Sequence, residues 1–303
     1  MGTLKGQNFR LLTYDAVAAK WSVIGMSTGC TITLNTTADD SSTKDDVGMA
    51  AKPVITAKSW QVSVDTLNVI DAAAMLTAIK SLTPFTLMWD ETSTVDNQTP
   101  EGEAFARKGT AFLSDLTLTF NNREKAAKNL QFSGSGAISA ADSTIEIASV
   151  AAGTYSMGQF TRLYLGSDNT ASPASVIAAA LQLSLHISMT LEDASTKDTA
   201  GDWLIQEPTA LNYDISTTAL VRSGETITSQ VPGKTLADIE SIYEAGTPVK
   251  FQIANVSSDN NRTKGSVIVS GSVVVTTLTL NGPNQNADYT AQLSGYGIYT
   301  VGA

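Results

Sequence analysis

The sequence predicts a mainly β protein made of two tandem copies of a β-sandwich or barrel domain, each with one flanking α-helix. Three observations carry this. Short segments recur in the same order at an offset near 153 residues. Apolar and polar residues alternate with period two over several runs in each copy, as half-buried strands require. Each copy also holds one run with helical apolar spacing, followed by a proline.

The repeat comes first because it sets the domain plan. Ser42-Thr43-Lys44-Asp45 recurs as Ser195-Thr196-Lys197-Asp198, and Ser22-Val23-Ile24 as Ser175-Val176-Ile177. Trp60, Val62 and Val64 align with Tyr213, Ile215 and Thr217 at the same offset. Arg10-Leu11 matches Arg162-Leu163, Thr83-Pro84 matches Thr247-Pro248, and Lys108-Gly109 matches Lys264-Gly265. Gln131-Phe132-Ser133-Gly134 with Gly136 matches Gln292-Leu293-Ser294-Gly295 with Gly297. The matches are collinear, and two unrelated β halves of similar composition would not share that order. The expected division is a first copy over 1–141, a linker over 142–149 and a second copy over 150–303.

Within the copies, Cys30, Ile32 and Leu34 share one strand face, as do Leu183, Leu185, Ile187 and Met189. Trp60 and Tyr213 open the next strand. Asp71 is placed to cap a helix over 72–82 whose Met75, Leu76, Ile79 and Leu82 share a face. Thr235 and Asp238 form a capping-box-like start for a second helix with Leu236, Ile239, Ile242 and Tyr243 as its stripe, and Gly246 ends it. Pro84 and Pro248 prevent continuation. Residues 85–89 and 249–253 read as strands, then 112–120 and 267–280, where Gly271 marks a bend or turn. Gly134-x-Gly136 and Gly295-x-Gly297 read as strand-end glycines. Residues 39–58 and 192–210 are too long and polar for tight turns, as are 90–107 and 255–264. Long loops with apolar anchors such as Met49, Val54, Ile55, Trp203, Leu204 and Ile205 are expected to be ordered by a neighbouring subunit.

Composition removes several function classes. The 303 residues carry 29 acidic and 19 basic side chains, a formal charge of −10, which disfavours phosphate binding. One cysteine and one histidine preclude a disulfide framework and the usual zinc site. No apolar run approaches the ~20 residues that span a bilayer, and the N-terminus lacks a signal-peptide core, so a non-secreted protein made in the cytoplasm is expected. His186 falls on the polar parity of its strand and reads as a surface residue. Cys30 falls on the apolar parity and reads as a buried, inert thiol. Asp39, Asp40, Asp45 and Asp46 lack calcium-loop spacing. Asp90, Glu91, Asp96, Glu101 and Glu103 lack the shielded geometry of a glycosidase pair. No phosphate-binding or nucleophile-elbow motif is present. The expectation is a non-enzyme with no metal and no cofactor.

The order of elements resembles that of the major tail tube proteins of long-tailed bacteriophages, in their duplicated-domain form. It runs from a strand through a long loop with a Ser-Thr-Lys-Asp start, an aromatic-led strand and one helix to long strands closing on Gln-x-Ser-Gly-x-Gly. The resemblance spans nearly the whole chain, twice. It implies a structural virion protein of the tail, assembled in the host cytoplasm. It further implies trimeric rings with pseudo-sixfold symmetry that stack into a tube, through which double-stranded DNA passes without specific binding. It implies tail tip, terminator and sheath or tape-measure proteins as partners, with no membrane insertion. It assigns the contact between rings to the long loops, with Asp45, Asp46, Met49, Val54, Ile55, Asp198, Asp202, Trp203, Leu204 and Ile205 as candidates. Two other readings stay open: the inner tube of a contractile injection system, and a carbohydrate-binding or adhesive β-sandwich.

Overall fold

The computed structural model describes residues 9–15, 19–24, 27–43, 51–67, 72–91, 106–141, 145–148, 156–199, 201–221, 233–256, 264–282 and 286–302. Asp45, Asp46, Met49, Asp71, Asp96, Glu101 and Glu103 lie outside them. The first half contributes β1 (Phe9–Asp15), β2 (Lys20–Val23), β3 (Ser27–Asp40), β4 (Pro53–Thr66), α1 (Ala72–Lys80), β5 (Phe85–Glu91), β6 (Arg107–Asn121) and β7 (Ala127–Ala140). The second contributes β8 (Thr161–Leu165), β9 (Ser175–Ile177), β10 (Ala180–Asp193), β11 (Gln206–Leu220), β12 (Gly233–Lys234), α2 (Leu236–Ala245), β13 (Val249–Val256), β14 (Lys264–Asn281) and β15 (Asp288–Val301). The protein is mainly β, and its strands join in one sheet.

The first half pairs in the order β2-β1-β5-β6-β7-β4-β3, and the second in the order β9-β8-β13-β14-β15-β11-β10. Each pairing of one half has its counterpart in the other, down to irregularities. β3 and β4 shift register between Thr37 and Ala38, as β10 and β11 do between Thr190 and Leu191. β6 and β7 shift between Leu113 and Asp115, as β14 and β15 do between Val275 and Thr277. β12, parallel to β9, has no counterpart among the described residues of the first half.

This register corrects one sequence alignment. Gly109 lies opposite Leu87, and Gly271 lies opposite Phe251 in the counterpart pair, so Gly109 corresponds to Gly271 and not to Gly265. Gly271 lies inside continuous β14, where the pairing with β15 shifts register between Ser270 and Ser272. The reason is a close approach. A Cβ at Gly109 would fall 2.6 Å from the Trp60 ring, and one at Gly271 would fall 2.9 Å from Phe251 and 3.1 Å from the Tyr213 hydroxyl.

The Gly-x-Gly motifs likewise sit within β7 and β15, not at strand ends. Their two glycines do different work. A Cβ at Gly134 would lie 2.1 Å from Trp60 and one at Gly295 2.6 Å from Tyr213, so these positions must stay bare. Gly136 and Gly297 hold φ of 79° and 76°, a region L side chains rarely adopt. Trp60 Nε1 then donates to Gly136 O at 3.0 Å, and Tyr213 Oη to Ser272 O at 2.6 Å. Gly134→Ala is therefore expected to cost about 1–3 kcal/mol through overpacking. A lowered urea midpoint would register it. Gly282→Ala, with open space around it, is the neutral control.

Both helices form where expected but bury fewer residues. α1 buries Met75, Leu76 and Ile79, then ends at Lys80; Leu82 takes φ of 55° and faces solvent. In α2 the Thr235 amide donates to Asp238 Oδ2 at 2.7 Å, Gly246 closes the helix with φ of 59°, and Tyr243 points outward. One continuous core runs through both halves, including Trp60 and Leu76 from the first and Tyr213 and Tyr299 from the second. Tyr299 Oη donates to Leu76 O at 2.8 Å, tying β15 to α1, and burial raises its phenol well above the usual range.

Of the expected long loops, the described ends of 39–58 and 192–210 form hairpin arms, while most of 90–107 and 255–264 lies outside the described residues. β3 and β4 remain paired out to Asp40 and Pro53, and β10 and β11 out to Asp193 and Gln206. The shared Ser-Thr pair follows each arm strand in the same way: the Asp40 and Asp193 carboxylates each accept the amide of the Ser two residues on, Ser42 and Ser195. Bonds from that serine hold both carboxyls below the ordinary Asp range. Of the expected linker, 145–148 runs beside β2: Trp21 N donates to Glu146 O, Ala148 N donates to Trp21 O, and Ile145 is buried against Leu12, Trp21 and Met88.

Candidate assembly surface

The two halves meet edge to edge. β10 lies antiparallel to β6, with Leu183 opposite Phe120, Leu185 opposite Leu118 and Ile187 opposite Leu116. All six side chains are buried. The other face of this seam is polar: Ser184 faces Thr119 and His186 faces Thr117. His186 Nε2 also sits 2.5 Å from Asp115 Oδ2, partly exposed, so the lone histidine is a surface residue with a carboxylate partner across the seam.

A strap reinforces the seam. Lys58 N donates to Asp202 O at 2.6 Å, Leu204 N to Lys58 O at 3.0 Å, and Gly136 N to Leu204 O at 2.7 Å. The Lys58 ammonium reaches Asp202 Oδ2 at 3.0 Å, and Gln206 N donates to Ser135 Oγ. The sequence reading gives Asp202, Trp203 and Leu204 to a contact between rings. In the structure these residues are anchored on β4 and β7 of their own chain. The sequence could not show this, because Lys58 and Trp203 are far apart along the chain. Val54, Ile55 and Ile205 are exposed on the arms, and Asp198 lies in an exposed turn, its amide donating to Thr196 Oγ1. Cys30 is half-buried on β3, and burial raises its thiol to about 11.

Both strands of the internal seam have counterparts, and those counterparts are open. Among the described residues, β3 pairs with β4 alone, and β14 beyond Val273 pairs with β15 alone. The apolar alternation of β3 reads as half-buried in sequence, yet Leu34 is 58% exposed while its counterpart Ile187 is fully buried. Leu280 is 55% exposed while its counterpart Leu118 is fully buried. Tyr296 and Ile298 are exposed too, whereas Ser135, the counterpart of Tyr296, lies under the strap. Sequence reasoning missed Leu34, Leu280, Tyr296 and Ile298. A signal existed: the chain has no charged residue or proline over 27–38 or 265–282, and strands that remain edges are usually guarded by both.

Among the described residues, no group of three or more His, Cys, Asp or Glu side chains is placed to hold a metal ion, and no helix is long and apolar enough to cross a membrane.

No family model and no curated protein matches the chain. Solved structures similar to it include a chain from the tail of an empty gene transfer agent particle, refined helically with C6 symmetry. That chain is 15% identical, with 48% of this chain and 95% of that one covered and a TM-score of 0.33. A chain of the native gene transfer agent virion is 16% identical, with coverages of 49% and 99% and a TM-score of 0.35. The SPP1 tail tube protein, solved by solid-state NMR and cryo-EM, is 15% identical, with coverages of 48% and 78% and a TM-score of 0.36.

Proposed function

We propose that the chain is a structural subunit of a phage-type tail tube. Three copies close into a ring of six modules, and rings stack into a hollow tube that conducts double-stranded DNA. The modules are residues 1–141 and 150–303, and the one-for-one strand pairing of the halves supports a doubled ancestor. The observation that carries the reading is the seam. The chain holds one complete β10–β6 junction, and among the described residues the two strands of a second such junction, β3 and β14 beyond Val273, each have one side without a strand partner. A head-to-tail contact of this kind either closes into a ring or runs on as a filament.

Stacking then falls to the hairpin arms, where Val54, Ile55 and Ile205 are exposed. The acidity of the chain suits a conduit, because a basic lumen would bind duplex DNA through many phosphate contacts. Repulsion from an acidic wall is screened over about 10 Å at 0.1 M salt, so DNA passes without being held.

Negative-stain electron microscopy of the purified protein at high concentration tests this. Annular particles with a central hole, and tubes of the same diameter, are the expected result. Persistent absence of both, with the tail tip present as nucleus, overturns the proposal.

A further inference from the structure

We infer that β3 of one copy pairs antiparallel with β14 of the next in the register of the internal β10–β6 seam. This rests on the ring reading above and gives that ring its residue-level junction. Carrying the internal register through the counterpart strands sets Thr31 opposite Asn281, Ile32 opposite Leu280, Thr33 opposite Thr279, Leu34 opposite Leu278 and Asn35 opposite Thr277.

Three features fit that register. The apolar face sets Leu34 against Leu278 and Ile32 against Leu280, which covers the two most exposed leucines among the described residues, Leu34 and Leu280. The opposite face joins threonines and asparagines, with no charge to desolvate. A slip of one residue would set each leucine against a threonine and turn the pattern inside out. The arm that carries the strap has a counterpart too, though without the Gln206 N–H bond, because proline has no backbone donor. Pro53 occupies the place of Gln206, so the β3–β4 arm of one copy comes to lie over the exposed Tyr296 and Ile298 of the next. The internal seam places His186 and Asp115 where the junction between copies has Thr33 and Thr277. The two seams therefore share a register but not a titratable pair.

The energetics make closure cooperative. Burying the exposed leucines favours the junction. Association costs translational and rotational freedom, so a single junction is weak. The last junction of a ring forms between chains already held together, and it decides the equilibrium.

Cysteine cross-linking tests the register in the full chain carrying Cys30→Ala. Residues directly opposite across an antiparallel pair have Cα atoms about 4.5–5.5 Å apart, within disulfide range, whereas diagonal neighbours about 7–8 Å apart are outside it. Thr33→Cys with Thr279→Cys, or Leu34→Cys with Leu278→Cys, is expected to convert most chains on oxidation into covalent oligomers that reductant reverses. Thr33→Cys with Asn281→Cys, shifted by two residues, is expected to give none. Rings seen by electron microscopy in which neither in-register pair links, or in which the shifted pair links instead, overturn the register and leave the ring standing. Absence of both rings and links overturns the two together.

Discussion

Ile187→Asp is expected to unfold the chain, and Leu118→Asp to do the same. Both side chains are fully buried where β10 meets β6, and each lies opposite another apolar residue. An aspartate there has no cation and no amide donor to satisfy it. Leaving one charge buried and unpaired costs about 3–5 kcal/mol. Net stability of a folded domain is only about 5–15 kcal/mol, so the loss removes a large share of it. The expected readout is a collapse of the urea transition and loss of near-ultraviolet circular dichroism. Ile187→Val, which keeps the shape and removes one methyl, should cost about 0.5–1.5 kcal/mol.

The same chemical change at the counterpart positions has the opposite outcome. Leu34→Asp and Leu280→Asp should leave the single chain folded, with stability within about 0.5 kcal/mol of the parent, because both side chains face solvent. Assembly should be lost, since Leu34→Asp sets a carboxylate against Leu278 of the next copy and Leu280→Asp sets one against Ile32. Sedimentation velocity is expected to show monomer at concentrations where the parent forms rings. The two variants are also complementary. Leu34→Asp retains an intact β14 edge and Leu280→Asp an intact β3 edge, so a mixture can form one junction and no more. A heterodimer in the mixture, with neither variant forming rings alone, separates edge pairing from a general effect of added charge. A Leu34→Asp chain that still assembles would mean the β3 edge lies elsewhere than in the junction.

Most of the local structure was legible in the residues. Period-two alternation located β6, β10, β11 and β14, and the Thr235–Asp238 cap with Gly246 located α2, because these features act between near neighbours. What failed was long-range. The match of Lys108-Gly109 to Lys264-Gly265 was a coincidence of two residues. The true counterpart, Gly271, is fixed by an aromatic ring across the sheet. Leu34 and Ile187 carry the same alternation, and nothing local says that one is covered by its own chain and the other is not. The arms read as loops in sequence because their threonines and aspartates are polar, yet pairing with Pro53, Val54 and Ile55 keeps Ala38, Asp39 and Asp40 extended. Trp203 reads as an anchor for another subunit, and its backbone bridges Lys58 in the first half of the same chain, a contact that alternation and propensity cannot encode.

The most direct test of a two-module subunit closing head to tail is the mass of a single ring by native mass spectrometry, beside the number of density lobes around it by electron microscopy. Three chains of 31.8 kDa forming six lobes is the expected result. Six chains per ring, or a lone chain with its β3 edge already paired, would contradict it.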